Sequence, residues 1–129
     1  MLDVLRSVIQ EVNRARNLEA VLGIIVERVK DAMNTEVCSI YLHDEHDEHD
    51  ERFVFMATRG LNTDAVGKVS LALNEGLVGY VAERAEPINL EDAQNHPRYR
   101  FLEEVGEEPF HAFLGVPIIH HRKVLGVLV

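Results

Sequence analysis

Asn74-Glu75-Gly76-Leu77-Val78-Gly79-Tyr80-Val81-Ala82-Glu83-Arg84 is the stretch on which the reading of this chain turns. It predicts a short helix entered through Asn74, whose side-chain oxygen can accept an orphan N–H of the first turn. Gly76 and Gly79, three apart, bare one helix face and let it approach another backbone closely. The N–H groups at such a helix start suit an anion or a carbonyl. Glu86-Pro87-Ile88-Asn89-Leu90 and the polar run to Phe101 follow as a flap over the same place. Residues 74–104 are therefore expected to form a pocket helix and flap above a small hollow. A helix packed on a sheet with nothing bound is equally compatible with these residue types.

Upstream, Leu2, Leu5, Ile9 and Val12 recur at 3-4-3 spacing, which predicts an N-terminal helix over residues 1–16. Val4 and Val8 add a second apolar edge, so the helix has a surface to spare for a second copy of the chain. One broad buried face would explain the same residues. Asn17 can cap a second helix over 17–34, with Leu18, Val21, Leu22, Ile25, Val29 and Ala32 or Met33 on its inner face. Residues 36–59 read as a hairpin. In its first strand Cys38, Ile40 and Leu42 point one way, toward the helices, and Val37, Ser39 and Tyr41 point the other. Its second strand, Arg52–Thr58, is aromatic and β-branched.

Downstream, Lys68–Leu73 is a short extended piece, and Gln94-Asn95-His96-Pro97-Arg98-Tyr99 is turn chemistry, with Pro97 driving His96 from helical geometry. Residues 111–129 hold two strands joined at His120-His121-Arg122-Lys123. Both are apolar on both faces, which predicts central strands covered on each side. Gly115 and Gly126 open gaps where a ligand or another backbone can come close. The chain stops at Val129 inside an apolar strand, which suggests a piece of something longer.

Composition narrows the field. The 129 residues suffice for one domain with a real core. The net charge of −9 is local: six of the 22 acidic residues fall in 44–51, leaving 16 against 13 basic residues elsewhere. No basic stripe exists to meet phosphates, so nucleic acid is not an expected partner. No apolar run reaches membrane-spanning length. A single cysteine points to a reducing compartment, the cytoplasm.

Taken in order, Glu36-Val37-Cys38-Ser39-Ile40-Tyr41-Leu42, Glu75-Gly76-Leu77-Val78-Gly79, Glu86-Pro87-Ile88-Asn89-Leu90, Phe113-Leu114-Gly115-Val116-Pro117-Ile118 and Val124-Leu125-Gly126-Val127-Leu128-Val129 resemble a GAF domain across almost the whole chain. The resemblance implies an α+β fold: an antiparallel sheet with helices on both faces, one face often a dimer contact and the other a flap-covered pocket. A GAF domain also ends with more sheet and a closing helix, so the C-terminal part looks truncated. Met56-Ala57-Thr58-Arg59-Gly60-Leu61, Ala85–Gln94 and Ala112–Ile119 are similar to the N-terminal GAF domains of nitrogen-related phosphoenolpyruvate–protein phosphotransferases. That likeness implies a regulatory sensor of a small polar metabolite, glutamine or 2-oxoglutarate, joined to downstream phosphotransferase domains and dimeric through its N-terminal helices. It implies no cofactor, and none of the seven histidines has the Gly-rich setting of a phosphotransfer histidine.

The candidate ligand-binding residues are Ser39, Tyr41, Arg59, Gly76, Val78, Gly79, Asn89, Asp92, Tyr99, Phe113 and Gly115. Arg59 suits a carboxylate bidentately, or a surface ion pair with a nearby Glu. His46 and His49 in the acidic tip 44–51 have metal-ligand types but no supporting shell, and ordering the tip costs entropy. Cys38 reads as a buried small hydrophobe. No nucleophile–base order, phosphate loop or paired cysteines mark an enzyme. Two other classes stay open: a ligandless dimerisation and docking module, and a metal or redox sensor.

Overall fold

The computed structural model describes residues 3, 5–6, 17–44, 51–99 and 112–129. The predicted N-terminal helix therefore lies almost wholly outside the described residues, as do the tip at 45–50 and the segment 100–111. Asp3, Leu5 and Arg6 are helical and exposed.

Helix α1 spans Leu18–Met33. It starts where expected: Asn17 is extended and its side-chain oxygen accepts from the Ala20 N–H at 2.8 Å. It stops at Asn34, in left-handed geometry with φ 53°, a conformation asparagine tolerates better than most residues. Its buried stripe is Leu22 and Val26, with Ile25 and Val29 half-buried beside them. Val26, absent from the expected stripe, is the most buried of these at 0% exposure. Leu18 and Met33 overhang at the two ends and are exposed.

Six strands follow: β1 Cys38–His43, β2 Arg52–Arg59, β3 Ser70–Ala72, β4 Ile88–Leu90, β5 Phe113–His120 and β6 Lys123–Leu128. They form one sheet in the order β3-β2-β1-β6-β5-β4, each pair antiparallel. Helix α2, Gly76–Arg84, lies between β3 and β4 in sequence. The helices take opposite faces. Cys38, Ile40 and Ala57 pack with Leu22 and Val26 of α1. Tyr41, Phe53, Phe55, Leu71 and Val127 pack with Val78, Val81 and Ala82 of α2. The alternation read along β1 is thus the alternation observed. This is the α+β architecture, a helix–sheet–helix sandwich.

Two features depart from the reading. The β1–β2 register slips between Ile40, which faces Ala57, and Tyr41, which faces Phe55. Met56 is the extra residue of a bulge, and one extra residue reverses the side-chain alternation beyond it. The face of β5 toward α1 is only partly covered among the described residues: Ile118 packs against the α1 cluster, but Leu114 and Val116 are 41% and 36% exposed. The β5–β6 turn is tight, with His121 and Arg122 both at positive φ, 49° and 64°, as a two-residue hairpin loop requires.

Candidate ligand-binding face

The face under α2 is built by close backbone approach. A Cβ added at Gly79 would stand 2.3 Å from the Ala72 carbonyl oxygen and 2.8 Å from that of Leu73. No side chain fits there, so α2 lies directly on the chain leaving β3. Gly76 serves a different need. Its φ of +63° is left-handed, which glycine adopts without strain.

The helix entry corrects the expectation for Asn74. The cap position is Glu75, extended and without a side-chain cap bond, and Asn74 is an exposed turn residue. The Glu75 carboxylate reaches back instead. Its Oε1 accepts from the Ala72 N–H at 3.1 Å and lies 3.4 Å from the Arg52 guanidinium. Arg52 Nε donates to Ser70 Oγ at 2.7 Å and Nη2 to the Ser70 carbonyl at 3.1 Å. β2, β3 and the start of α2 are thereby tied by one carboxylate and one guanidinium.

Tyr41, Val78, Gly79, Phe113 and Gly115 come together on this face. Tyr41 is 3% exposed, its ring 5.3 Å from that of Phe55. Gly115 leaves no opening for a ligand: a Cβ there would stand 2.8 Å from both the Phe113 ring and Val81 Cγ2. Gly126 takes the other alternative, with the Tyr41 carbonyl 2.5 Å from its would-be Cβ. Ser39 lies on the same side of β1 as Tyr41. Its hydroxyl is 2.9 Å from that of Thr58, and the two buried groups satisfy each other.

Arg59 and Asn89 do not join this group. Beyond the Met56 bulge Thr58 turns toward the α2 side, and Arg59 turns to α1. There Nη2 is 3.9 Å from Glu27 Oε2, and Nη1 donates to the Thr58 carbonyl at 3.2 Å. In β4, Ile88 points into the core and pairs with Gly115, so Asn89, opposite Leu114, faces the other side and is exposed. Asp92 and Tyr99 lie on the segment after β4. Asp92 is exposed and accepts from the Asn95 side-chain amide. Tyr99 is half-buried, its N–H donating to the His96 carbonyl at 3.0 Å.

Sequence reading missed an open groove of about 520 Å³ between α1 and the end of β2, lined by Gly23, Glu27, Met56, Arg59 and Thr63 among others. Gly23, a side-chain gap in the middle of the helix, was the signal for it. On chemistry, Cys38 is 3% exposed, and burial pushes its thiol up to about 11. A thiol held protonated is a poor nucleophile and a poor metal ligand. Among the described residues no three His, Cys, Asp or Glu side chains converge as a metal site. No described helix is long and apolar enough to cross a membrane.

This sheet, with a helix on either face and the second helix seated by glycine, defines a class: the chain belongs to the GAF domain family, which matches residues 17–129. More particularly, it is similar to GAF domains of phosphoenolpyruvate–protein phosphotransferases. The GAF domain of such a protein from Coxiella burnetii superposes with a TM-score of 0.88 at 48% identity, covering 98% of this chain and 74% of that one. The one from Acinetobacter gives 0.85 at 47% identity, covering 98% and 73%. A phosphoenolpyruvate-dependent phosphotransferase system protein of Escherichia coli K12 is 51% identical over 124 residues, 96% of this chain. The chain spans 16% of that relative's length.

Proposed function

We propose that this chain is the regulatory, small-molecule-sensing domain of a phosphoenolpyruvate–protein phosphotransferase, with glutamine or 2-oxoglutarate as its metabolite. The observation that carries the reading is the 51% identity to the phosphotransferase system protein across nearly the whole chain. The arrangement around α2 supports it: an aromatic hydroxyl, Tyr41, sits among buried apolar side chains beneath a glycine-seated helix. Ligand must favour one placement of α2 and the following segment over another, since equal affinity for both would transmit nothing. The receivers of the signal are the downstream phosphotransferase domains of a longer protein.

A second reading is a ligandless dimerisation and docking module. The filling of the Gly115 gap by Phe113 and Val81 favours it. A thermal-shift screen over glutamine, 2-oxoglutarate and cyclic nucleotides separates the two. A ligand that binds only the folded state, at a hundredfold excess over its dissociation constant, raises the melting point by roughly 5–10 °C. No shift with any of them rejects the sensor and leaves the docking module. Dimerisation through the N-terminal helices is a separate part of the proposal, and Leu5, 54% exposed, is its handle. Sedimentation of Leu5→Glu is expected to give half the wild-type mass; an unchanged mass rejects that contact.

A further inference from the structure

The segment from Glu91 to Tyr99 does not pair as a strand, and His96 and Arg98 bring it against Tyr80 and Glu83 of α2. One residue spans the gap between them. Arg98 Nη1 donates to Glu83 Oε2 at 3.0 Å, in the last turn of α2. Its Nη2 donates to the Leu73 carbonyl, in the turn before α2 begins. Between these ends the guanidinium carbon stands 5.1 Å from the centre of the Tyr80 ring, and the His96 ring lies 5.0 Å from the same ring. The Arg98 backbone N–H donates to His96 Nδ1 at 3.0 Å, which closes the turn after Pro97 and aims the side chain at the helix.

We propose that Arg98 is a strap that makes the segment 91–99 and α2 move as one body. It is a positioning residue that acts through what it holds. The geometry fits the task. A guanidinium is a rigid fork, and its two arms here hold Glu83 of α2 and the Leu73 carbonyl on which Gly79 of the same helix rests. The Leu73 carbonyl that it holds is also the group on which bare Gly79 rests. The segment therefore cannot lift without releasing the Leu73 backbone beneath α2, and α2 cannot tilt without drawing Glu83 from Arg98. The closed strap also has a built-in weakness. Among the described residues Arg98 Nε is buried with no acceptor, and an unsatisfied buried donor destabilises the state that buries it. That keeps release within reach of thermal motion. The inference holds whether or not the face beneath α2 binds a metabolite.

Hydrogen exchange on the whole chain tests it without any ligand. In Arg98→Ala, amides of 91–99 and of the first turn of α2 are expected to exchange together, about tenfold faster than in wild type. Amides of α1 and β1 should keep their wild-type rates. Arg98→Lys retains the charge and loses the fork, so its acceleration should be intermediate. Glu83→Gln retains an acceptor, so its effect should be the smallest. The two conservative variants keep the test alive if Arg98→Ala fails to fold. Acceleration of 91–99 alone, with α2 unmoved, would overturn the coupling. A uniform rise across the sheet would show a general stabilising role, and unchanged rates would remove the strap altogether.

Discussion

The two helices sit on the same sheet and are held in opposite ways. Helix α1 is sixteen residues long, capped by Asn17, and fixed by branched side chains pressed onto Cys38, Ile40 and Ala57. Helix α2 is nine residues long, has no side-chain cap bond, and adds to the packing of Val78, Val81 and Ala82 a backbone contact that only the missing side chain of Gly79 permits. Side-chain burial is forgiving, because a core can repack around small changes of shape. Contact with a neighbouring backbone is not, because the Ala72 and Leu73 carbonyls have no rotamer to change. The comparison assigns rigidity of shape to the α2 side and mere adhesion to the α1 side.

The same substitution, glycine to alanine, breaks the comparison most directly. At Gly79 the new methyl lands 2.3 Å from a backbone oxygen, and α2 must shift off the sheet. Overpacking of this kind should cost about 3 kcal/mol, seen as a lower urea midpoint with an unchanged slope. A neutral Gly79→Ala would mean that α2 is not seated by its glycine. Removing the cap of the other helix is the next largest effect. Asn17→Ala orphans the Ala20 N–H and should cost about 1 kcal/mol in the same titration. At Gly23, in the middle of α1, the nearest atom to an added methyl is an Arg59 nitrogen at 3.9 Å. Here alanine relieves the backbone entropy of a helical glycine, and Gly23→Ala should stabilise by about 0.5–1 kcal/mol. Opposite signs at Gly79 and Gly23 would sharpen the contrast; equal signs would erase it.

The two regions also differ in how much of them could be read from residues alone. The α1 side was legible because its physics is periodic: a 3-4 stripe, a capping asparagine and strict alternation along β1. Val26 escaped only because the chosen stripe stepped over it. The α2 side depends on facts with no period. Gly76 needs positive φ and Gly79 needs proximity, and both read simply as glycine. Glu75 reaches back to β3 instead of capping forward, which depends on where Arg52 lies in space. Of the two readings of Arg59, the ion pair with a nearby Glu is the one the structure holds, with Glu27, because the Met56 bulge turns Arg59 to the α1 side, and a bulge leaves no mark in composition. Asn89 was drawn into the site by its place in the flap, although one step of strand alternation turns it outward. The strap from Arg98 to Leu73 spans 25 positions, which no local pattern encodes.

At neutral pH the smallest effect concerns the α1 side, where it is silent. Cys38 lies against Leu22 and Val26, and burial raises its thiol from 9.0 to about 11. In the unfolded chain the thiol loses its proton at the lower value. Below pH 9 both states keep it, and the burial contributes its full share to stability. Between pH 9 and about 11 the unfolded state alone ionises, so stability falls as pH rises through that window. Cys38→Ala removes the titrating group and should flatten this part of the curve, whatever it does to stability at pH 7. The native thiol should also resist a disulfide reagent until the chain unfolds, because the thiolate is the attacking form. Rapid labelling of the folded protein would show that α1 lifts from β1 far more readily than its side-chain packing implies. The rigid and adhesive faces would then have to be exchanged.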